Sequence, residues 1–485
     1  MPENDTLDMA SLGNRETAWT VARRAAIMVP AYRRALASAG CSTLPPEWVQ
    51  LPLLDKKDYL LASPFADLLA DNFADTFTIF SSSGSSGRAF YWPQLKGAQQ
   101  EPAVRLRQLL EGVFQVHERR TLAIVGLALG SWIGGEHFSW VLKCMAADTP
   151  YPFAVFSPGN HHDEILAMIG AADRFAEQII LFCCPSAIGH LRLRADQQKH
   201  PLPLGKLRYV VIGEPFPEST RLSLNAAAGL PAGQPAMISI FGSADTGVLG
   251  FESPASAMLR GLCETDTRLA MALGFGGVIP HLFHLADPHA YLETVAGELC
   301  VTKWQGVPLV RYNLHDAARL LHWPGLIRQA TRHLPDRTEV AALNAAAAMP
   351  DVLAITGRAD SCLLLCGTNL TESMLDTAVR DPALATWLTG NYRARVIVEQ
   401  ERQRLHFTLE CRTGVMPDLA TVEAIRPLLT HALGRVQPEF QDDWEKIYRR
   451  WDGDPALGIL KLDLVVWPKL AEDRAGGIKQ RGVRV

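Results

Sequence analysis

Over the first 290 residues, short apolar segments alternate with longer amphipathic ones. The apolar segments are rich in β-branched and aromatic residues and end at glycine, proline or polar residues, which is typical of buried strands. They lie at residues 76–80, 121–129, 151–157, 178–184, 207–212 and 236–241. Residues 98–116 and 163–176 carry apolar side chains at helical spacing. The alternation predicts an α/β fold with a mostly parallel sheet covered by helices on both faces.

The pattern changes beyond residue 290. Residues 297–302 and 308–312 predict antiparallel strands, and the alanine-rich residues 323–350 predict an exposed helical stretch. A turn-like Gly-Arg-Ala-Asp follows, and then strands, helices and a hairpin. We therefore expect a large N-terminal domain with mostly parallel sheets flanked by helices and a small β-rich part, followed by a small mobile α+β C-terminal domain. The predicted N-terminal core, C-terminal lid and hinge are residues 1–357, 361–485 and 357–361.

Polar and glycine residues cluster just past the predicted strand ends. Gly130–His137 comes after the strand-like residues 121–129, and Gly213-Glu214-Pro215 comes directly after 207–212. Open α/β sheets bind ligands outside the carboxyl ends of their strands. The sequence therefore predicts a ligand site at this edge.

A serine- and glycine-rich loop, Ser81-Ser-Ser-Gly-Ser-Ser-Gly-Arg88, lies between two strand-like segments. Glycine admits positive φ, and rows of backbone N–H groups and hydroxyls suit anionic oxygens. The loop is not a Walker A motif, because the Gly-Lys-Ser/Thr ending is missing. A flexible linker is the alternative interpretation, which the flanking strands disfavour.

Length and composition restrict the possible classes of protein. At 485 residues the chain exceeds the length at which single hydrophobic cores stop growing, so two or more domains are expected. A formal charge of -4 gives no electrostatic case for binding nucleic acid or an anionic membrane. The polar N-terminus does not have the pattern of a signal peptide, and the apolar residues 122–135 are too short to span a bilayer. The nine scattered cysteines are expected to be reduced interior thiols of a cytoplasmic protein.

Four segments in a fixed order resemble the adenylate-forming superfamily of acyl-CoA synthetases. They are SSSGSSGR at 81–88, ISIFGSADTG at 238–247, GVPLVRYNLHD at 306–316 and ITGRADSCLLLCG at 355–367. Val29-Pro-Ala-Tyr32, Leu51-Pro-Leu53 and Gly213-Glu-Pro215 are similar to the phenylacetate-CoA ligase branch. The resemblance implies that a carboxylate attacks the α-phosphate of ATP with Mg²⁺ present, giving acyl-AMP and pyrophosphate. A thiol, usually that of coenzyme A, then displaces AMP.

The resemblance also implies roles for individual residues toward the nucleotide. The phosphate loop would comprise Ser82, Ser83, Gly84, Ser85, Ser86, Gly87 and Arg88. Phe241, followed by Gly242 and Ser243, matches the aromatic residue that packs on adenine, and Asp245 matches the magnesium carboxylate. Phe90 stands where relatives often have a lysine, and Ala244 where they have a hydroxyl residue.

Further matches concern the ribose, the hinge and catalysis. Asp316 would accept hydrogen bonds from both ribose hydroxyls, which suits an acceptor-only carboxylate. Arg358 would contact ribose or phosphate, and Asp360 would be the hinge residue. Lys479, after two glycines near the C-terminus, matches the mobile catalytic lysine, with a solvated tail lysine as the alternative.

The carboxylic acid would occupy an apolar and aromatic pocket. Its expected lining residues are Trp132, Ile133, Gly135, His137, Phe138, Cys184 and Ile212. Such a lining favours an aryl or arylacetic acid over a short polar one, although core packing would use the same residue types. His137 would either orient the substrate or be a buried structural histidine.

The final acyl acceptor is left open by the sequence. Coenzyme A is the leading hypothesis, and a carrier or acceptor protein thiol or an amine is the alternative within the family. Because Phe90, Ala244 and Asp245 depart from the family pattern, a non-catalytic nucleotide-binding protein is a third hypothesis. The expected partner is a small-molecule carboxylic acid; a homodimer is allowed, and neither nucleic acid nor membrane is expected.

The assignment of Lys479 gives a first test. Lys479→Ala should impair adenylation far more than thioester formation from supplied acyl-AMP, because the ammonium is needed only at the α-phosphate. Assays of the two half-reactions measure this difference, and equal losses in both would contradict the assignment.

Overall fold

The computed structural model describes residues 7–70, 73–82, 90–231, 233–334, 338–359, 362–454 and 456–470. The predicted site residues Ser83, Gly84, Ser85, Ser86, Gly87, Arg88, Asp360 and Lys479 lie outside these ranges.

Helices and strands alternate along the described chain. The helices are α1 (Arg15–Met28), α2 (Pro30–Ser38), α3 (Gln100–Phe114), α4 (Ile133–Asp148), α5 (His162–Ala172), α6 (Pro185–Gln197), α7 (Glu218–Ala227), α8 (Pro254–Thr265), α9 (Thr267–Ala272), α10 (Trp323–His333), α11 (Glu339–Ala345), α12 (Glu372–Val379), α13 (Leu419–Val436) and α14 (Pro438–Asp443). The strands are β1 (Ser11–Leu12), β2 (Thr76–Ser81), β3 (Tyr91–Leu95), β4 (Thr121–Val125), β5 (Phe153–Phe156), β6 (Gln178–Cys183), β7 (Leu207–Ile212), β8 (Met237–Ser243), β9 (Gly247–Phe251), β10 (His281–Leu285), β11 (Tyr291–Val295), β12 (Glu298–Lys303), β13 (Leu309–Leu321), β14 (Val352–Arg358), β15 (Cys362–Leu365), β16 (Thr368–Thr371), β17 (Leu388–Glu399), β18 (Arg402–Cys411) and β19 (Leu460–Val466).

The largest sheet has 12 strands in the order β1-β11-β12-β13-β14-β10-β9-β8-β7-β6-β4-β5. The strands from β8 to β5 in this order pair in parallel, and those from β8 to β1 pair antiparallel. This arrangement confirms the predicted α/β class, with helices packed on the sheet. Five of the six apolar segments form the parallel strands β4 to β8, whereas residues 76–80 form β2, which pairs antiparallel with β3 in a separate two-stranded sheet.

Both faces of the parallel part are covered, because alternate residues of each strand point to opposite sides. In β6, Ile179 and Leu181 pack with α5 and α6, whereas Ile180 and Phe182 pack with α3 and α4. Strands buried on both faces are near-continuously apolar. Their sequence pattern was therefore a reliable predictor.

The antiparallel part binds the N-terminal segment. Helices α1 and α2 share one core with β11, β12 and β13. Arg311 is central here: its Nε donates to Glu293 at 2.9 Å and its Nη1 donates to the carbonyl oxygens of Val49 at 2.9 Å and Leu51 at 2.7 Å. The contacts give Arg311 a structural role.

Residues beyond 362 form a hydrophobic cluster of their own. It contains the hairpin β15–β16, the sheet β17-β18-β19 and helices α12, α13 and α14. The predicted division at residues 357–361 remains a prediction, because Arg358 ends β14 and Asp360 is not among the described residues.

The expectation of an exposed helical stretch at 323–350 is wrong. Trp323, Leu326 and Ile327 of α10 are fully buried, as is Leu343 of α11. They pack with α8, α9 and the strands β10 and β14. The many alanines suggested a solvated helix, but the few large apolar residues fall on one face and are covered.

Two further findings concern the cysteines and the helices. All nine cysteines are free thiols. Within the described ranges, no helix combines the length and apolar character needed to cross a bilayer.

A buried ion network links α7 and α8 to β8. Arg221 lies between Glu218 and Glu252, with N–O distances of 2.8 and 2.9 Å, and Arg260 also pairs with Glu218. Burial alone would raise the pKa of Glu252, but the positive charge of Arg221 and further polar contacts lower it to about 2. Glu252 also accepts a hydrogen bond from the Ser239 N–H of β8 at 2.7 Å. The network therefore fixes the strand that carries Phe241.

We expect Glu252→Gln to lower the free energy of unfolding by about 3 kcal/mol, because Arg221 loses one of its two buried carboxylate partners and must share the other, Glu218, with Arg260. Asp376→Asn is the control; it removes the exposed Asp376–Arg380 pair and should cost less than about 1 kcal/mol. Urea unfolding measures both. Equal effects would show that burial of the network contributes nothing.

Candidate active site

A cavity of about 620 Å³, called the main cavity below, lies at the carboxyl ends of the parallel strands. Most of the site residues expected from the sequence line it. They are Trp132, Ile133, Gly135, His137, Phe138, Cys184, Ile212, Gly213, Glu214, Pro215, Phe241, Gly242, Ser243, Ala244, Asp316 and Arg358. The structure thus brings together residues that are up to 226 positions apart, from Trp132 to Arg358.

The sheet topology explains this convergence. Adjacent parallel strands β6, β7 and β8 end at one edge, so that Cys184, Gly213 and Ser243 lie side by side there. Gly213 has φ +91°, a left-handed conformation that favours glycine. Its turn directs the following Glu214 and Pro215 into the cavity wall.

The β8–β9 hairpin forms one side of the cavity. At Gly242 an added Cβ would lie 2.3 Å from the carbonyl oxygen of Gly247, so only glycine fits. Phe241 is half-buried, and its ring lies 5.4 Å from that of Phe283, between centroids. The hairpin therefore presents one face of an aromatic ring beside a compact turn.

Asp316 and Arg358 face each other on neighbouring antiparallel strands, β13 and β14. Their closest N–O distance is 3.7 Å, and Arg358 Nη1 donates to the carbonyl oxygen of Leu314 at 2.9 Å. Since both side chains line the cavity, a carboxylate that accepts hydrogen bonds and a guanidinium that donates them lie at the same wall. Gly357 beside them has φ +135° and open space around it.

Asp245 belongs to the turn of the β8–β9 hairpin and lines an adjoining cavity rather than the main one. The Tyr312 hydroxyl donates to Asp245 Oδ2 at 2.6 Å, and Gln305 Nε2 donates to its carbonyl oxygen at 2.7 Å. Burial and the nearby Asp245 charge raise the pKa of Tyr312, so its hydroxyl stays a donor. The Asp245 carboxylate is thereby held in a fixed orientation.

Lys56 is a candidate functional residue that the sequence analysis missed. Its Nζ lies 3.4 Å from both Ser82 Oγ and Asp245 Oδ1. A short π-helical turn, Lys56–Leu60, positions it, and Asp55 caps that turn through the Asp58 N–H. Two adjacent lysines after an Asp cap were visible in the sequence, but the pairing with Asp245 is 189 residues distant and had no local signal.

Ser82 is the only described residue of the predicted phosphate loop, and it is buried. Its N–H donates to the Phe90 carbonyl oxygen at 2.9 Å, and its Oγ accepts from the Phe90 N–H at 3.1 Å. Phe90 itself packs in the core against Phe65 and Trp92. Position 90 is therefore an apolar one, and among the described residues Lys56 places a cation 3.4 Å from the Ser82 hydroxyl.

Glu214 has its carboxylate at the start of α6. It accepts hydrogen bonds from the Ser186 Oγ at 2.8 Å and the Ser186 N–H at 3.1 Å, which places it at the positive end of the helix. Burial nevertheless raises the pKa of Glu214 to about 7. The residue holds the turn after β7 in place.

The C-terminal cluster closes the cavity from the other side. Cys366, Gly367, Asp443 and Tyr448 line it together with the N-terminal residues. Asp443 accepts from Asn160 Nδ2 at 2.8 Å, and burial with the nearby charge of Asp442 raises its pKa to about 7. The sequence analysis missed these residues, since the contact between Asn160 and Asp443 spans 283 positions.

His137 lies at the boundary of the two cavities. Burial, with a smaller effect of the Lys303 charge, lowers its pKa to about 4. The imidazole is therefore neutral at physiological pH, so one of its nitrogens can donate a hydrogen bond and the other can accept one. Its neighbour Gly135 has a packing role, because an added Cβ would lie 2.1 Å from the Ala128 carbonyl oxygen.

The residues present fit a magnesium–nucleotide site with few protein ligands. Among the residues that the structure describes, no group of three or more His, Cys, Asp or Glu side chains could hold a metal ion by itself. Magnesium commonly uses one or two carboxylates together with substrate phosphates. Asp245 can supply such a carboxylate, whereas Ala244 beside it has no side-chain ligand.

Comparisons with known proteins show the fold. No family model and no curated protein matches the sequence. A 2-hydroxyisobutyryl-CoA ligase, solved with 2-HIB-AMP and CoA in the thioesterification state, matches 97% of this chain and 88% of its own with 14% identity and a TM-score of 0.59. The same ligase in an open conformation, again with 2-HIB-AMP and CoA, covers 97% and 90% with 14% identity and a TM-score of 0.49. An amide bond synthetase from Marinactinospora thermotolerans covers 82% and 69% with 12% identity and a TM-score of 0.44. At such identities, the first match shows that this chain has the fold of that ligase.

The pH dependence of stability tests whether burial raises the pKa of the Asp443 carboxyl. A carboxyl whose pKa is raised to about 7 in the fold stabilises the protein fully below its unfolded pKa, and this stability is lost as the pH rises toward 7. Asp443→Asn has no carboxyl to ionise, so its free energy of unfolding should not show this loss. Between pH 5 and pH 8, the difference in free energy of unfolding between the variant and the wild type should therefore shift by roughly 2–3 kcal/mol in favour of the variant. Urea unfolding at both pH values measures the gain.

Asp196→Asn, at an exposed carboxylate on α6, is the matched control and should show no comparable pH-dependent difference. A constant Asp443→Asn difference at both pH values would contradict the raised pKa.

Proposed function

We propose that this protein is an adenylate-forming ligase that activates a carboxylic acid with ATP and then transfers the acyl group to a second substrate. The observation that carries the proposal is the convergence of Phe241, Asp316 and Arg358 on one cavity, with Asp245 in the turn of the hairpin that carries Phe241 and Lys56 at 3.4 Å from Asp245. These residues come from distant parts of the chain, and each has the chemistry that one part of ATP requires. The fold shared with 2-hydroxyisobutyryl-CoA ligase is consistent with this function.

The adenosine would lie between the β8–β9 hairpin and β13. Phe241 offers a ring face to adenine, and aromatic stacking on a base contributes about 1–3 kcal/mol. Asp316 would accept hydrogen bonds from the ribose hydroxyls, because an ionised carboxylate is an acceptor only. Arg358 at 3.7 Å from Asp316 would keep that carboxylate in place and reach the α-phosphate side.

The triphosphate would meet Lys56, Ser82 and Asp245. The ammonium of Lys56 uses two of its three N–H donors toward Ser82 and Asp245, which leaves the third for a phosphate oxygen. Asp245 would hold the magnesium ion that neutralises phosphate charge. Ser83 to Arg88 and Lys479 stay predictions for the remaining phosphate contacts and for the mobile lysine.

The acid would lie on the apolar side of the hairpin, next to Ile133, His137 and Phe138. Its carboxylate attacks the α-phosphorus, the bond to the pyrophosphate oxygen breaks, and acyl-AMP and pyrophosphate result. A neutral His137 can orient the acid by a hydrogen bond without adding a charge that would compete with Lys56. The aromatic lining supports an aryl acid, and the likeness of the motifs supports the phenylacetate-CoA ligase branch.

The acyl acceptor would enter from the side closed by the C-terminal cluster. The proposal favours coenzyme A, whose thiol would displace AMP near Cys184, Gly213 and Gly367. Glu214 and Asp443 line the same side, and a carboxylate with a pKa of about 7 can take a proton from an attacking thiol or amine. That feature is also compatible with an amine acceptor. Incubation with ATP, an acid and either CoA or an amine distinguishes the two by the product.

A non-catalytic nucleotide-binding protein is the second candidate function, because Phe90 and Ala244 depart from the family pattern. Lys56 weakens this alternative, since it supplies a cation beside Ser82 that Phe90 does not. Acid-dependent exchange between pyrophosphate and ATP would exclude it.

Pyrophosphate–ATP exchange with a panel of aryl acids tests the proposal directly. Wild-type protein should catalyse exchange, and Lys56→Met should lower kcat/KM by about 100-fold, because one preorganised charge at the developing anion is lost. Lys57→Met is the matched control at the adjacent, exposed lysine and should stay within about twofold. Absence of exchange in the wild type, or equal losses in both variants, would contradict the assignment.

A further inference from the structure

A second cavity of about 560 Å³ adjoins the main one. Six residues line both spaces: Ile133, His137 and Phe138 from α4, and Ala244, Gly247 and Val248 from the β8–β9 hairpin. The two cavities therefore meet at these six residues. Two of them, Ala244 and Gly247, have almost no side chain.

The reacting centre of the proposed function would lie at this junction. Ala244 and Asp245, which belong to the proposed phosphate and magnesium site, both line the second cavity. The main cavity must hold the adenosine beside Phe241 and the acceptor beside the C-terminal cluster. The rest of the acid is consequently directed toward the second cavity.

The walls of the second cavity have the character of a pocket for an aromatic group. Trp92, Leu95, Phe251 and Trp304 contribute apolar surface, and the guanidinium of Arg24 lies 3.7 Å from the Trp304 ring centroid. Ligand pockets are typically apolar and aromatic with a few placed polar groups. The second cavity, at about 560 Å³, is large enough for an aromatic ring, in addition to the adenosine and the acceptor that the main cavity would hold.

The polar groups of this cavity include the carboxylates of Glu101, Asp245 and Asp287 and several hydrogen-bond donors. Lys303 uses two of its three donors, toward Asp287 at 2.6 Å and the Thr246 carbonyl oxygen at 2.9 Å. Arg105 Nη2 pairs with Glu101 at 2.8 Å, while its Nε has no hydrogen-bond partner among the described residues. The indole N–H of Trp92, which is also in the wall, is likewise without a partner in the described part of the chain. A buried donor without a partner is unfavourable, so a ligand acceptor that reached the Arg105 Nε behind the cavity wall would be stabilising.

We infer that the acid substrate is elongated: its carboxylate reacts at the hairpin, its aromatic body passes the Ile133–His137 side of α4, and a hydrogen-bond-accepting group at its far end occupies the second cavity near Arg105. This inference rests on the proposed function. It assigns the second cavity to the distal half of the acid, which distinguishes this protein from a ligase for small acids.

Steric closure of the second cavity tests the inference. Leu95→Trp fills that cavity from β3 without touching the main one, and Tyr91→Trp places the same side chain at an exposed position of β3 that lines neither cavity. Pyrophosphate–ATP exchange is measured with benzoic acid and with para-(hydroxyphenyl)benzoic acid. The readout is the ratio of kcat/KM for the long acid to that for the short acid, which normalises any general loss of activity.

The wild type and Tyr91→Trp should favour the long acid by at least about tenfold, and Leu95→Trp should abolish this preference. A ratio unchanged by Leu95→Trp, including equal loss with both acids, would overturn the inference while leaving the proposed function intact. Exchange with neither acid in the wild type would instead count against the proposed function.

The polar end is tested by the same assay. Arg105→Met should remove the advantage of para-(hydroxyphenyl)benzoic acid over para-phenylbenzoic acid, about tenfold in kcat/KM, because the hydroxyl loses its donor. Arg107→Met, on the same helix but outside the cavity, should retain it. A preserved advantage in Arg105→Met would contradict recognition of the far end.

Discussion

The common edge of the parallel strands is the constraint on which the site depends. Backbone hydrogen bonding aligns β4, β6, β7 and β8 so that their carboxyl ends open on one cavity. A short turn follows each strand, and each turn contributes side chains or backbone groups to the wall of this cavity. The Arg221–Glu252 network beneath β8 reinforces the alignment by holding that strand through the Ser239 N–H. Rigid strands with short turns thus position the functional groups, while the C-terminal cluster only closes the space over them.

Charges at the site are balanced before any ligand is bound. Lys56, Asp245 and Tyr312 form a chain of contacts, in which a cation, an anion and a neutral donor satisfy one another. Such a chain avoids the cost of an unpaired buried charge. It also leaves donor capacity on Lys56, which a phosphate can use. Glu214 and Asp443, which line the main cavity, are buried carboxylates with raised pKa values, so they differ in proton affinity from an exposed carboxylate.

Most of the parallel core could be predicted from the sequence, and the reason is periodicity. A run such as Gln178–Cys183 is apolar on both faces because helices cover both, and no other soluble arrangement buries it as well. The alanine-rich residues 323–350 were misjudged, since alanine carries little information about burial and Trp323 and Leu326 had to be covered by partners from elsewhere. The long strand Leu309–Leu321 was only partly anticipated, because it alternates polar and apolar residues irregularly and has bulges in its pairing with β12.

The sequence by itself determined the α/β class and the parallel strands β4 to β8, because their apolar runs reflect burial on both faces. Its motifs also indicated residues that meet in the cavity, such as Phe241, Asp316 and Arg358. It did not indicate β10 and β11. Only the tertiary structure decided that Lys56 accompanies Ser82 and Asp245, that Asp443 faces Asn160, and that a second cavity lies beyond His137. Contacts of this kind join residues hundreds of positions apart and depend on how whole elements pack, so nothing in the neighbouring sequence encodes them.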